Sequence, residues 1–184
     1  MDAVAAAFDV TPRADFLPPE LRQRADHDGP LAIGRGATCS QPRTVAAMLG
    51  LLAVQPGDRV LDVGAGSGWT TALLAALTGP SGLVIGVELE PELADFGAGN
   101  VRRTQRPWAS VTVAAAGVLG DPDHAPYDRI LVSANAAVLP LTLEDQLAPD
   151  GRMVVPVAGV MTVVQLGAER VVTEHGRYSF VPLR

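Results

Sequence analysis

RVLDVGAGSGW, residues Arg59 to Trp69, is the stretch on which the fold turns. An apolar run ends in an acidic residue, Asp62, and passes into glycines at 64, 66 and 68. TTALLAAL, Thr70 to Leu77, then reads as a helix. A strand feeding a Gly-rich turn and a helix lets polar groups of a ligand approach bare backbone amides, because no Cβ stands in the way. A dinucleotide fingerprint reads G-x-G-x-x-G; here the third glycine arrives one residue early. SGLVIGVE, Ser81 to Glu88, reads as the next strand, with Glu88 at its tip. Strand, helix and strand make one βαβ unit, in which a carboxylate at the second strand's tip accepts hydrogen bonds from ribose hydroxyls. The plainer alternative is that Glu88 caps the helix announced by Pro91 and Glu92.

Composition narrows the class. A chain of 184 residues, 48% apolar and only 4% aromatic, suits one domain over 1–184 built on a buried parallel sheet with small-residue helices. No apolar run reaches the ~18 residues of a membrane span. The opening MDAVAAAFDV has no basic region before its apolar part, so it does not read as a secretory signal. Cys39 is the single cysteine, which excludes an internal disulfide and fits a cytoplasmic setting. His27, His124 and His175 are scattered without metal-ligand spacing, so no metal is expected. A net charge of -6 argues against a nucleic-acid partner. The oligomeric state is not set by the sequence.

The first 41 residues read as irregular, punctuated by Pro12, Pro18, Pro19 and Pro30, with a short helix near 20–25; their place before Thr38 makes them a candidate lid. Pro42 opens a helix to about Ala53, with Val45, Met48, Leu49 and Leu52 on one face. Strands are expected near 59–63, 83–87, 110–114, 129–133 and 152–157, and helices near 70–78, 91–103 and 140–147. Short strands over 160–166, 170–173 and 178–181 close the chain. The expected fold is α/β, a mostly parallel, Rossmann-like seven-stranded sheet with antiparallel C-terminal strands and helices on both faces.

The G-x-G-x-G turn after an acidic residue is similar to the first motif of the S-adenosylmethionine-dependent methyltransferases. Several blocks together resemble one family among them, the protein-L-isoaspartate (D-aspartate) O-methyltransferases. They are PLAIGRGATCSQP (Pro30 to Pro42), PGDRVLDVGAGSGWTTALLA (Pro56 to Ala75), APYDRILVSANA (Ala125 to Ala136), QLAPDGRMVVPV (Gln146 to Val157) and FVPL (Phe180 to Leu183). The resemblance implies transfer of a methyl group from S-adenosylmethionine to the carboxylate of an isoaspartyl residue in a damaged peptide or protein. The ester then closes to a succinimide, and hydrolysis returns some normal aspartate. For the cofactor it implies Asp62 ordering the turn and the ligand's amino-acid end. Gly64, Gly66 and Gly68 make room, with Ala65 and Ser67 between them, and Glu88 takes the ribose with Leu89 beside it. For the substrate it implies Thr38 and Ser40 holding the carboxylate, with Ser133, Ala134, Asn135, Val181 and Pro182 lining its site. Without the resemblance, Ser40 reads as a helix cap.

The chain also departs from that family. Where the family carries Gly-Asp-Gly, with the Asp on the adenine amino group, this chain has Ala115, Ala116 and Gly117. Losing such a bond costs roughly 1.5–3 kcal/mol. Trp69 replaces the usual Tyr, and Gly97 and Gly99 enter a helix at ~1 kcal/mol each. Cys39 stands at an apolar position and reads as buried packing rather than a nucleophile. Two other functions follow from these departures. One is a methyltransferase dedicated to Asp in one partner peptide, suggested by Asn135 and Ala116. The other is a catalytically silent binding protein on the same fold.

Overall fold

The computed structural model describes residues 2–184. Helix α1 (Ala3–Asp9) starts at Asp2, whose carboxylate accepts the Val4 N–H at 3.0 Å. Two 3₁₀ segments follow at Arg13–Phe16 and Pro19–Arg24. Strands β1 (Leu31–Gly34) and β2 (Ala37–Cys39) form a separate antiparallel hairpin. Helix α2 (Pro42–Leu52) has Pro at its first position and buries Val45, Met48, Leu49 and Leu52, the face expected from periodicity. Then come β3 (Arg59–Val63), α3 (Trp69–Thr78), β4 (Leu83–Glu88), α4 (Pro91–Arg103), β5 (Ala109–Val113) and β6 (Tyr127–Val132). Helix α5 (Leu141–Glu144) precedes β7 (Leu147–Val157), β8 (Val160–Gln165) and β9 (Val171–Arg177).

The main sheet has seven strands in the order β5-β4-β3-β6-β7-β8-β9, parallel through β7 and antiparallel from β7 to β9. Alternation along the strands separates two core layers. Val60, Val84, Leu131 and Val154 pack with α2 and α3, while Leu61, Val63, Ile85, Ile130, Val132 and Met153 pack on the other side. That second side is covered thinly: Leu143 of α5, Leu147 and the loops around Leu119 and Leu139 do the work of longer helices.

The ends of the chain differ most from the sequence reading. Residues 2–30, read from sequence as irregular, carry a helix and two 3₁₀ segments. Phe16 and Leu17 are fully buried, and the buried Arg13 guanidinium donates to the carbonyls of His27, Gly29 and Cys39, each at 2.8 Å. The same guanidinium lies 5.4 Å from the centre of the Trp69 ring, whose Nε1 donates to the Thr11 carbonyl. An Arg so tethered holds the segment as part of the core, and the chain lines the cavity from Pro30 onward. The helix expected over 140–147 shrinks to one turn, because β7 begins at Leu147, where it pairs with Tyr127. The strand expected over 178–181 is an extended strap. It crosses the carboxyl ends of the sheet, held by the Tyr178 N–H on the Gly159 carbonyl at 2.9 Å and by an isolated bridge between Asn135 and Pro182.

Candidate active site

At the carboxyl end of β3 the chain turns through Gly64 (φ 80°), Gly66 and Gly68 (φ 81°) into α3. The need for glycine is clearest at a contact between elements. A Cβ on Gly68 would lie 2.8 Å from the Gly97 carbonyl oxygen, and a Cβ on Gly97 would lie 2.6 Å from that of Gly66. Helix α4 therefore runs against the turn, and Asn100 fixes it there by donating Nδ2–H to the Ser67 carbonyl at 2.8 Å. Gly97, read from sequence as a weakness of its helix, is what permits this approach. Gly99, two residues on, faces open space apart from the tip of Arg103.

Two carboxylates frame the turn. Glu88, nearly buried, accepts the Gly66 N–H on Oε2 at 2.9 Å and the Glu90 N–H on Oε1 at 3.0 Å, so it ties the turn to the tip of β4. Asp62 is wholly buried and accepts the Thr70 and Thr71 hydroxyls on one oxygen, both at 2.7 Å. Its other oxygen, Oδ1, has no partner among the described residues. Burial pushes its pKa up to about 6 against the pull of the two threonines.

A cavity of about 840 Å³ opens over these strand ends. Gly64, Gly66, Glu88, Leu89, Thr38, Ser40, Ser133, Ala134, Val181 and Pro182 all line it, so the structure brings together most of the residues singled out for cofactor and substrate. No hydrogen bond to the hydroxyls of Thr38, Ser40 or Ser133 forms among the described residues, which leaves three donors free at one surface. Ser40 is not a cap: Gln41 occupies the cap position of α2, without a side-chain cap bond. Ala65 and Ser67 lie beside the cavity, in a recess of about 30 Å³ shared with Cys39 and Trp69. The Cys39 thiol is buried and its pKa is raised by that burial, as befits packing. Gly68 lines neither space and serves the contact with α4.

Ala116, Gly117 and Asn135 also stand off the lining. Ala116 and Gly117 form an exposed turn after β5 and do not line the cavity; Ala114, Val118 and Leu119 beside them do. Asn135 is a clasp for the strap rather than part of the lining. Its Oδ1 accepts the Gly159 N–H at 2.8 Å, while its backbone N–H donates to Val181 and its carbonyl accepts from Leu183. A polar residue fits there because Gly159 offers it a donor. The sequence reading missed the cavity's arginines, Arg35, Arg43, Arg177 and Arg184, which come in two pairs far apart along the chain and meet only in the fold.

The lining fits a nucleoside with a charged tail. Glu88 presents a carboxylate with lone pairs to spare, Gly64 and Gly66 present bare backbone, and Leu89, Ala114, Val118 and Leu119 offer apolar surface for a flat base. Asp62 lines neither the cavity nor the recess, and its orphan Oδ1 is a buried acceptor behind the turn that an ordered water would complete.

Comparison with known proteins agrees with this arrangement. The family model described as protein-L-isoaspartate(D-aspartate) O-methyltransferase (PCMT) matches residues 1–184. A protein-L-isoaspartate O-methyltransferase of Methanopyrus kandleri is 45% identical over 186 residues, covering 98% of this chain and 82% of its own. One from Aeropyrum pernix is also 45% identical, with 98% and 72% covered. A Plasmodium falciparum protein assigned to the same activity and crystallised with S-adenosyl-L-homocysteine superimposes with a TM-score of 0.86 over 100% of this chain and 91% of that one. At 24% identity that likeness speaks for the fold alone. On the family match along its whole length, and on identities of this size over nearly all of it, the chain belongs to the protein-L-isoaspartate(D-aspartate) O-methyltransferase family.

Proposed function

We propose that this protein transfers a methyl group from S-adenosylmethionine to the side-chain carboxylate of L-isoaspartyl residues in peptides and proteins. The observation that carries this reading is the meeting, in one cavity, of the glycine turn and Glu88 with the free hydroxyls of Thr38, Ser40 and Ser133. Its relatives of Methanopyrus kandleri and Aeropyrum pernix carry the name of that activity.

The chemistry asks for positioning. Bound S-adenosylmethionine supplies an electrophilic methyl carbon on a sulfonium that leaves as a neutral thioether. A carboxylate with an ordinary pKa near 4 is already ionised at neutral pH. Its oxygen would take the methyl group while sulfur keeps the carbon–sulfur bonding pair, a transfer that requires no proton to move. The chain therefore needs no general base. Thr38, Ser40 and Ser133 donate hydrogen bonds that orient the carboxylate, Glu88 holds the ribose, and the strap from Tyr178 to Arg184 narrows access of water. Leu89, Val118 and Leu119 hold the base by apolar contact, with no side-chain acceptor at Ala116. A cytoplasmic setting belongs to the same proposal; no helix among the described residues is long and apolar enough to cross a membrane.

A methyltransferase dedicated to Asp in one partner peptide now rests on Ala116 alone, since Asn135 is engaged with Gly159. A silent fold is the weaker alternative, because the Glu88 bonds that shape the turn are complete. The test is Ser40→Ala, read in two assays. Methyl transfer to an isoaspartyl peptide should fall about tenfold or more while calorimetric affinity for S-adenosylmethionine stays within about twofold. Equal losses in both would contradict the assigned role.

A further inference from the structure

The chain carries 14 Lys and Arg against 20 Asp and Glu, yet its cavity has the opposite balance. Arg35, Arg43, Arg177 and Arg184 line it, all exposed, and its acidic lining residues are Glu88 and Glu90. Both oxygens of Glu88 accept backbone N–H groups, and Glu90 is engaged with Arg184 at 2.8 Å. The N-terminal segment contributes Arg35 and Arg43, and the C-terminal strap contributes Arg177 and Arg184, so positive charge flanks the opening from two parts of the chain.

The pairing of these arginines separates them. Arg35 pairs with Glu92, Arg43 with Asp28 and Arg184 with Glu90, all in solvent-exposed contacts. Such pairs are worth little, and a ligand carboxylate can take over one partner at small cost. Arg177, at the end of β9, has no hydrogen-bond or ion-pair partner among the described residues. An unengaged guanidinium beside a site for a carboxylate substrate is a second place for a carboxylate to bind.

We infer that the preferred substrate is an acidic peptide: Arg177 and Arg43 bind carboxylates of residues flanking the one that is methylated. This rests on the peptide reading proposed above and names its substrate class. The single carboxylate to be methylated accounts for the Thr38, Ser40 and Ser133 hydroxyls but leaves the arginines without a task. A cationic cofactor in the same cavity adds to the attraction for a negatively charged chain and to the repulsion of a basic one. Affinity should therefore depend on flanking charge and on salt, which screens exposed charges within about 10 Å at 0.1 M.

The test is fluorescence anisotropy of labelled peptides on protein saturated with S-adenosylhomocysteine, so that binding is read without turnover. The peptides carry Asp or isoaspartate at the centre and Glu, Gln or Lys on both flanks. At low salt, Glu flanks should bind about fivefold to tenfold tighter than Gln flanks, with Lys flanks weaker still, and the gap should close at high salt. Arg177→Glu should reduce the gap to about twofold or less, and Arg177→Lys should keep most of it, with affinity for S-adenosylhomocysteine unmoved in both. Equal affinities for the three flanks, a preference for Lys, or a Glu preference intact in both Arg177→Glu and Arg43→Glu would overturn the inference, as would failure of every peptide to bind. A Glu preference indifferent to Asp or isoaspartate would uphold it while contradicting the isoaspartyl reading.

Discussion

The two ends of the cofactor side of the cavity are built to different standards. At the β3–β4 end, the glycine turn is cross-braced. Glu88 bonds two backbone amides, Asn100 holds the Ser67 carbonyl, and Gly68 and Gly97 let two elements meet at a distance no other residue pair would allow. At the β5 end, an exposed turn through Ala116 and Gly117 stands aside, and Ala114, Val118 and Leu119 offer only apolar contact. The difference teaches where binding energy resides. A braced carboxylate loses little by ordering when a ligand arrives, whereas an apolar shelf holds a base by shape and area without reading its edge.

Removing the braced carboxylate should have the largest effect. Glu88→Ala loses two charge-assisted bonds of roughly 1.5–3 kcal/mol each, together with the acceptor proposed for the ribose. S-adenosylmethionine affinity should fall by about 100-fold or more in calorimetry. A loss below tenfold would show that the braced end does not dominate.

Asp62 comes next, through pH. Its carboxyl titrates at about 6 in the folded chain, against 3.8 for the ordinary group, so the folded state holds a proton that the unfolded state has released. Its contribution is therefore fully present below about pH 4 and is lost as pH rises through about 6, with a ceiling of about 3 kcal/mol. The stability difference between wild type and Asp62→Asn, from denaturant titrations at stepped pH, should shift against wild type over that window. A flat difference would contradict the burial account.

The two glycines of α4 sharpen the contrast within one helix. Gly97→Ala should cost about 1–3 kcal/mol by pressing on the Gly66 carbonyl, whereas Gly99→Ala should stabilise by up to about 1 kcal/mol. Thermal melts of both would separate packing from propensity. At the weaker end, Ala116 lies off the cavity's lining, so Ala116→Asp should leave S-adenosylmethionine affinity within about twofold. A gain of about tenfold would show that the Ala116 turn closes onto the base.

Much of the braced end was legible in the sequence because it is local. Asp62, the glycines and Glu88 lie on one βαβ unit, whose strand and helix periods can be read directly, and the face of α2 follows from its own spacing. What could not be read depends on distant partners. Arg13 ties the segment that follows it together by reaching carbonyls 14 to 26 residues away, and no local pattern announces that. Gly97 looked like a flaw because its reason lies across the fold, at Gly66. Asn135 drew attention as a polar residue beside the active site, but its partner is the amide of Gly159. The rim arginines come from two ends of the chain and acquire meaning only once the strap closes the sheet's carboxyl edge.

The most direct test of the whole account is methyl transfer from labelled S-adenosylmethionine to two peptides that differ only in Asp or isoaspartate at one position. Both should carry acidic flanks, so that the rim is satisfied in each. The account predicts labelling of the isoaspartyl peptide and none above background on its Asp twin. Equal labelling of the two, or none on either while S-adenosylmethionine binds, would contradict it.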